Sequence, residues 1–232
     1  MKKILFFIAF VSLSWAESLF IGAGGGFKKP VSAVVENLEK SGVKVEASYA
    51  HLAQLVAMAK QGDMALIVGD EDFLRKSDLK ILGYDKISSA KLAFVTAKGK
   101  SISDINEITK FGRIAMPDAK KAIYGIRAKE FLQNAKLADK LGEKLMVLNG
   151  VPQVVAYVLN GDVDGGFINS SEVLAHLDDF GSVLWVDEAM YSPVNISAAK
   201  LEKCENNELC EKVLKELKSE NSQKIFKKFG LE

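Results

Sequence analysis

The chain has 232 residues, 48% of them hydrophobic and 26% charged, with a formal net charge of +1. That balance supports one or two globular lobes with real cores. Near-neutrality gives no electrostatic reason for a nucleic-acid or acidic-surface partner, and the aromatic residues are scattered rather than interleaved with basic patches, which sets nucleic-acid binding aside.

The first segment reads as an address. Lys2-Lys3 form a basic start, Ile4 to Trp15 an apolar run, and Ser14-Trp15-Ala16 a small-x-small cleavage site, the pattern of a secretory signal peptide over residues 1–16. A run of twelve residues falls short of the roughly 20 needed to span a bilayer. Cleavage after Ala16 predicts a soluble chain beginning at Glu17. With no Cys at the cleavage point, a lipid anchor is not expected, and export without an anchor fits a Gram-negative periplasm.

The remainder alternates strands and helices. Leu19 to Ala23 is a short apolar strand that runs into a glycine turn at Gly22 to Gly26. Pro30 opens a helix with Val31, Val34, Val35 and Leu38 on one face, and Gly42 stops it. Val43, Val45 and Ala47 alternate as a strand; Leu52, Leu55, Val56 and Ala59 mark a second helix ended by Gly62. Met64 to Val68 reads as a buried strand, with Asp70 placed to cap the turn after it. The region around Asp85 reads as a loop, and the apolar stretch Lys91 to Ala97 follows it. Asp104 to Ile108 is a short helix, Arg113 to Met116 a strand, Ala122 to Gln133 a helix and Lys144 to Leu148 a strand.

The most informative unit is Asn149 to Val173. Pro152 has a pre-set φ suited to a first helical turn, Val154, Val155, Val158 and Leu159 recur at helical spacing, and Gly161 ends the run. Gly165 to Ile168 is apolar enough for a buried strand, and Asn169-Ser170-Ser171 reads as the cap of the next helix. The helix N-terminus near Val151 and the strand end at Asn169 point to one place, and free first-turn amides there favour an anion. Val183 to Val186 and Asn195 to Ala199 are further strands, and Glu208 to Phe229 is helical. Such alternation predicts α/β layers with largely parallel sheets. Cys204 and Cys210, close together in a polar segment of an exported chain, predict a local disulfide rather than a metal pair.

The order of motifs resembles that of the periplasmic molybdate/tungstate-binding proteins of ABC importers over nearly the whole mature chain. The resemblance is carried by Gly112 to Ala115 with Asp118, Gly125-Ile126 with Ala128-Lys129-Glu130, the unit from Asn149 to Val173, Tyr191 to Val194, and Ile225 to Gly230. It implies two α/β lobes crossed by two hinge strands that close on a ligand. Lys91 to Ala97 would be the first crossing and Tyr191 to Ala199 the return, with residues 17–93 plus 196–232 as one lobe and 94–195 as the other. It further implies a monomeric, non-enzymatic solute-binding protein without a cofactor, handing a small anionic ligand to an ABC permease in the inner membrane.

At the pocket the sequence departs from that pattern. The family's two hydroxyl donors fall on Gly26 and Leu52, its two amide donors on Gly69 and Val151, and its tyrosine on Asn169. Only the amides keep their role irrespective of side chain. Three charge-assisted hydrogen bonds at roughly 1.5–3 kcal/mol each are missing, so weak molybdate binding is expected. Gly25 in the glycine turn, His51, the Asn169 amide, Tyr124 and Arg127 are the replacement donors the sequence offers, and the glycines leave room for a larger anion-bearing molecule. The alternative is a metal held partly by His51, with Gln54 and Met58 near it, or a ligand-free exported sensor or assembly module. Ser170-Ser171 lacks the flanking glycines of a nucleophile elbow, and there is no convincing acid/base pair, so an enzyme is not expected.

Overall fold

The alternating segments close into two sheets. The computed structural model describes residues 18–232, so the expected signal peptide lies outside the described residues. In chain order the elements are β1 (Leu19–Gly24), α1 (Lys28–Lys40), β2 (Val45–Ala50), α2 (Leu52–Ala59), β3 (Leu66–Asp70), α3 (Glu71–Arg75) and β4 (Gly83–Ala90). They are followed by β5 (Leu92–Thr96), β6 (Ile114–Pro117), α4 (Ile123–Asn134), α5 (Ala138–Leu141), β7 (Leu145–Leu148), α6 (Val151–Leu159), β8 (Gly165–Asn169), α7 (Ser170–Ala175) and β9 (Val183–Trp185). The chain ends with β10 (Val194–Lys200), α8 (Glu208–Leu217) and α9 (Glu220–Lys228). One sheet has the order β2-β1-β3-β10-β4 and the other β7-β6-β8-β5-β9.

The sheets are mixed rather than largely parallel. β1 lies parallel to β2 and β3, and β6 to β7 and β8, whereas β10 runs against both β3 and β4, and β5 against both β8 and β9. The alternating pattern records which segments are strands, not which direction each takes beside its neighbour. β10 and β5 are the strands next to the passages between sheets, and that is where direction reverses.

The chain passes from the first sheet to the second at Lys91, between β4 and β5. The stretch read as a crossing, Lys91 to Ala97, is therefore already part of the second sheet from Leu92 onward. Phe94 is fully buried there and packs edge-on against Phe167, 5.0 Å between ring centroids. The return falls between β9 and β10, where the Tyr191 hydroxyl accepts a hydrogen bond from Leu92 N at 3.1 Å and ties the two passages together.

Three segments differ from the sequence reading for identifiable reasons. The region around Asp85, read as a loop, is the edge strand β4, paired to β10 with a register shift between Ile196 and Ser197. Its polar residues hid it: the Ser88 and Ser89 hydroxyls donate to the Glu232 carbonyl at 2.9 and 3.0 Å instead of facing water. The single helical tail is two helices, because the Ser219 hydroxyl accepts from Ser222 N at 3.1 Å and starts α9 afresh. The segment beginning at Asp104 is a 3-10 turn, Ile105–Lys110, closed by a capping box from Asp104 and Glu107.

The unit from Asn149 folds as its residues dictate. α6 buries Val151, Val154, Val155 and Val158, and Gly161 leaves it at φ 76°, a conformation that favours glycine. β8 starts with Gly165-Gly166 because α6 and β5 press on it: a Cβ on Gly165 would lie 2.6 Å from Phe94 Cζ, and one on Gly166 2.5 Å from Val154 Cγ1. The expected disulfide is present. Cys204 and Cys210, both buried, join a short turn to the first turn of α8.

Candidate functional site

A cleft of about 680 Å³ opens between the strand ends of the two sheets. Its walls are the starts of helices. The glycine turn Gly24 to Gly26 leads into α1, His51 and Leu52 begin α2, Ala122 and Ile123 begin α4, and Gly150 and Val151 begin α6. The first amides of a helix have no partner four residues back, so the partly positive ends of four helices border one space, with the α1 end partly spent because Lys28 N donates to Gly25 O and Pro30 has no N–H.

Side chains add to this field. Lys28 and Lys121 line the cleft together with His51, and among the described residues that line it none is Asp or Glu. Lys28 Nζ stands 5.8 Å from the centroid of the Tyr49 ring, a cation–π distance, and makes no ion pair among the described residues. Lys121 Nζ is 3.4 Å from Asn149 Oδ1 and 3.7 Å from Asp118 Oδ2. Ser48, Gln54 and Gln153 supply neutral polar groups, and Met58 and Pro152 supply carbon surface.

Of the positions singled out in the sequence, Gly25, Gly26, His51, Leu52, Tyr124 and Val151 all line this cleft. His51 closes against α6 across the gap: a Cβ on Gly150 would be 3.0 Å from His51 Cε1, so the glycine is what lets the two sides approach. His51, Gln54 and Met58 do share the cleft wall, His51 at the N-cap position of α2.

Gly69, Asn169 and Arg127 are placed differently. The Leu52 side chain lies over Gly69, where any Cβ would overlap Leu52 Cδ2, and also 3.4 Å from a Cβ on Gly24. Leu52 thus covers Gly69, which is not among the residues that line the cleft. Asn169 is fully buried and does not cap α7 with its side chain. Its Nδ2 donates instead to Gly26 O at 3.0 Å and Ser171 Oγ at 2.6 Å, which uses the amide to join β8 to the glycine turn. Tyr124 packs on that same turn, its Cε2 3.0 Å from where a Gly26 Cβ would be. The buried Tyr124 hydroxyl and Asn169 Oδ1 have no hydrogen-bond partner among the described residues. Burial pushes the Tyr124 hydroxyl well above its ordinary pKa, so it stays neutral.

Arg127 faces away from the cleft into a buried ion pair. Its guanidinium donates to Asp70 Oδ2 at 3.0 Å, Glu130 Oε1 at 3.1 Å and the Pro193 carbonyl at 3.3 Å. Asp70 also caps α3, accepting from Phe73 N at 2.8 Å. Burial raises the Asp70 carboxyl above the usual range, and the Arg127 charge opposes that shift. Since Asp70 ends β3 of the first sheet and Arg127 lies on α4 against the second, the pair fastens one sheet to the other. A second link, Lys29 to Glu172 at 3.1 Å, joins α1 to α7 near the surface.

Sequence reasoning missed the two lysines, Asn149, Gln153 and the start of α4. The signal was adjacent: Lys28 is two residues after Gly26, Asn149 precedes Val151 by two residues, and Lys121 stands just before the helix that carries Tyr124 and Arg127.

Two α/β sheets joined by two passages, with a cleft between them ringed by helix N-termini, define a two-lobed ligand-binding protein. The chain belongs to the family of bacterial extracellular solute-binding proteins, which it matches over residues 19–232. It is a solute-binding protein of the kind that serves ABC transporters and resembles molybdate-binding proteins, in a family of transport proteins rather than enzymes. The molybdate-binding protein ModA of Rhodobacter capsulatus is 24% identical over 200 residues, covering 83% of this chain and 79% of that one. ModA of Azotobacter vinelandii is 23% identical over 226 residues, covering 93% and 90%. The solved periplasmic molybdate-binding protein of Azotobacter vinelandii superposes with a TM-score of 0.81 at 19% identity, over 92% of this chain and 98% of that one, and shares its fold. Among the described residues, no helix is long and apolar enough to cross a membrane.

Proposed function

We propose that this protein is exported to the periplasm, loses residues 1–16, remains free of a lipid anchor, and carries a small anionic ligand to an ABC permease in the inner membrane. The observation that carries the anionic assignment is the lining of the cleft: four helix N-termini and two lysines with no carboxylate among them. Such a concavity concentrates positive potential and favours a negative group by pairing it with otherwise unsatisfied amides. The lobes of this reading are the two sheets with their helices, residues 19–90 with 194–232 and residues 92–185. They hinge where the chain passes between them, at Lys91 and near Tyr191 to Pro193. The protein acts as a monomer and needs no cofactor.

The test is a thermal-shift screen of anions with neutral and cationic solutes as controls. A ligand at one hundred times its Kd, bound only by the folded state, adds about 2.7 kcal/mol. For a chain of this size that raises Tm by about 5–10 °C. Anions alone are expected to produce such shifts, with the Lys28→Met/Lys121→Met double variant losing most of the effect. Stabilisation only by neutral or cationic solutes would refute the assignment.

A further inference from the structure

We propose that the cleft is built for a small organic dianion, a carbon skeleton bearing carboxylate or phosphate groups, rather than for a free inorganic oxyanion. The inference rests on the anionic reading above and concerns what carries the charge.

The floor of the cleft is filled by side chains. Leu52 covers Gly69 and leans on Gly24, and Tyr124 lies against Gly26. The Asn169 carboxamide, which could have been a donor, is spent on Gly26 O and Ser171. The deep end, where a compact anion would be gripped from several sides, is therefore occupied by the protein's own side chains. A bound anion must sit higher, between the helix starts and the rim.

A tetrahedral oxyanion takes roughly the room of two or three water molecules, about 60–90 Å³. The cleft holds about 680 Å³, within the range of roughly 300–1,000 Å³ typical of sites for organic ligands. In the cleft as it stands an inorganic ion would leave most of that space to solvent, and the lobes would have to close much further on it than on an organic ligand.

The two cations come from opposite sides, Lys28 from the start of α1 and Lys121 from the segment before α4. The same cleft is lined by carbon surface from Tyr49, Met58 and Ile123 and by neutral donors and acceptors from Gln54 and Gln153. Cations on two walls of a cleft that also offers carbon and hydrogen-bonding surface match a ligand with negative charges on a carbon body. Carboxylate and phosphate heads both suit lysines and helix amides.

The experiment is calorimetry on the mature protein at constant ionic strength. One arm is inorganic: sulfate, phosphate and molybdate. Two organic arms contain three- to six-carbon compounds with an anionic group at each end, dicarboxylates such as succinate and glutarate in one and phosphate esters that also bear a carboxylate, such as phosphoglycerate, in the other. At least one organic compound is expected to bind tenfold or more tightly than every inorganic ion, and the arm containing it identifies the head group. Lys28→Met and Lys121→Met are each expected to weaken that compound by about tenfold or more, the loss of one charge-assisted contact. Leu52→Ser, which reopens the floor, is expected to narrow the gap between molybdate and the organic ligand. Molybdate, phosphate or sulfate binding as tightly as the best organic compound would overturn the proposal while leaving the anionic reading intact. Binding by no member of any arm would overturn it too, and stabilisation only by the neutral or cationic controls of the thermal-shift screen would remove both.

Discussion

Replacing Arg127 by Met tests whether the buried pair with Asp70 holds the two sheets together. Asp70 is fully buried and the Arg127 side chain is 4% exposed, so neither group regains water unless the structure opens. Removing the guanidinium leaves the Asp70 carboxylate with the Phe73 amide as its one remaining hydrogen-bond partner among the described residues. Glu130 suffers less, because its side chain is 29% exposed and keeps the Ser192 amide at 2.8 Å. Breaking one half of a buried pair costs roughly 3–5 kcal/mol, mostly as the desolvation of the charge left behind. At about 2–4 °C per kcal/mol for a chain of this length, Arg127→Met should lower Tm by about 6–20 °C. Asp70→Asn combined with Arg127→Met, which removes both charges, should recover at least half of the loss.

The pH dependence has a definite sign. Burial raises the Asp70 carboxyl and Arg127 opposes that, so in Arg127→Met the folded-state pKa rises further. A folded-state pKa above the unfolded value gives stability that is present at low pH and lost as pH rises through it. The difference between variant and wild type should therefore shrink as pH falls from 7 toward about 4, the ordinary Asp value. Urea denaturation of the three proteins at pH 7 and pH 5 decides the matter. A single variant within about 1 kcal/mol of wild type, a double variant no better than the single, or a gap that widens on acidification would refute the argument.

Two further predictions concern the scaffold. Gly69→Ala should cost about 1–3 kcal/mol, because the new methyl must displace Leu52; adding Leu52→Ala should cost less than the sum of the two single changes, read by denaturation midpoints, and simple additivity would show that they do not touch. The Cys204–Cys210 bridge closes a short loop, a sequence separation of 6, worth about 2 kcal/mol on loop entropy. Reductant should then lower Tm by about 4–8 °C, and an unreduced mass with two freely alkylatable thiols would refute the bridge.

The sequence alone determined the class of fold and much of the local structure, because those depend on signals written over neighbouring residues. Apolar periodicity placed α1, α2, α4 and α6 and most strands to within a few residues, since burial of one helix face leaves a spacing that survives without tertiary context. Gly161 and Asp70 were legible for the same reason: a left-handed helix end and an N-cap are local chemistry. Of the positions matched to the family's motifs, Gly26, Leu52 and Val151 line the cleft and Gly69 and Asn169 do not; of the replacement donors, Gly25, His51 and Tyr124 line it and Arg127 does not. What the tertiary structure decided was where side chains are spent. No local pattern shows that Leu52 lies over Gly69, that Asn169 reaches 143 residues back to the Gly26 carbonyl, or that Arg127 is committed to Asp70, 57 residues away. The direction of β5 and β10 and the existence of β4 were decided there as well, because an edge strand's polar residues look like a loop until their partners are seen. Donors that appear free in a sequence are free only if nothing distant has claimed them, and in this cleft that claim separates the residues left to a ligand, the rim lysines and helix starts, from those that hold the lobes together.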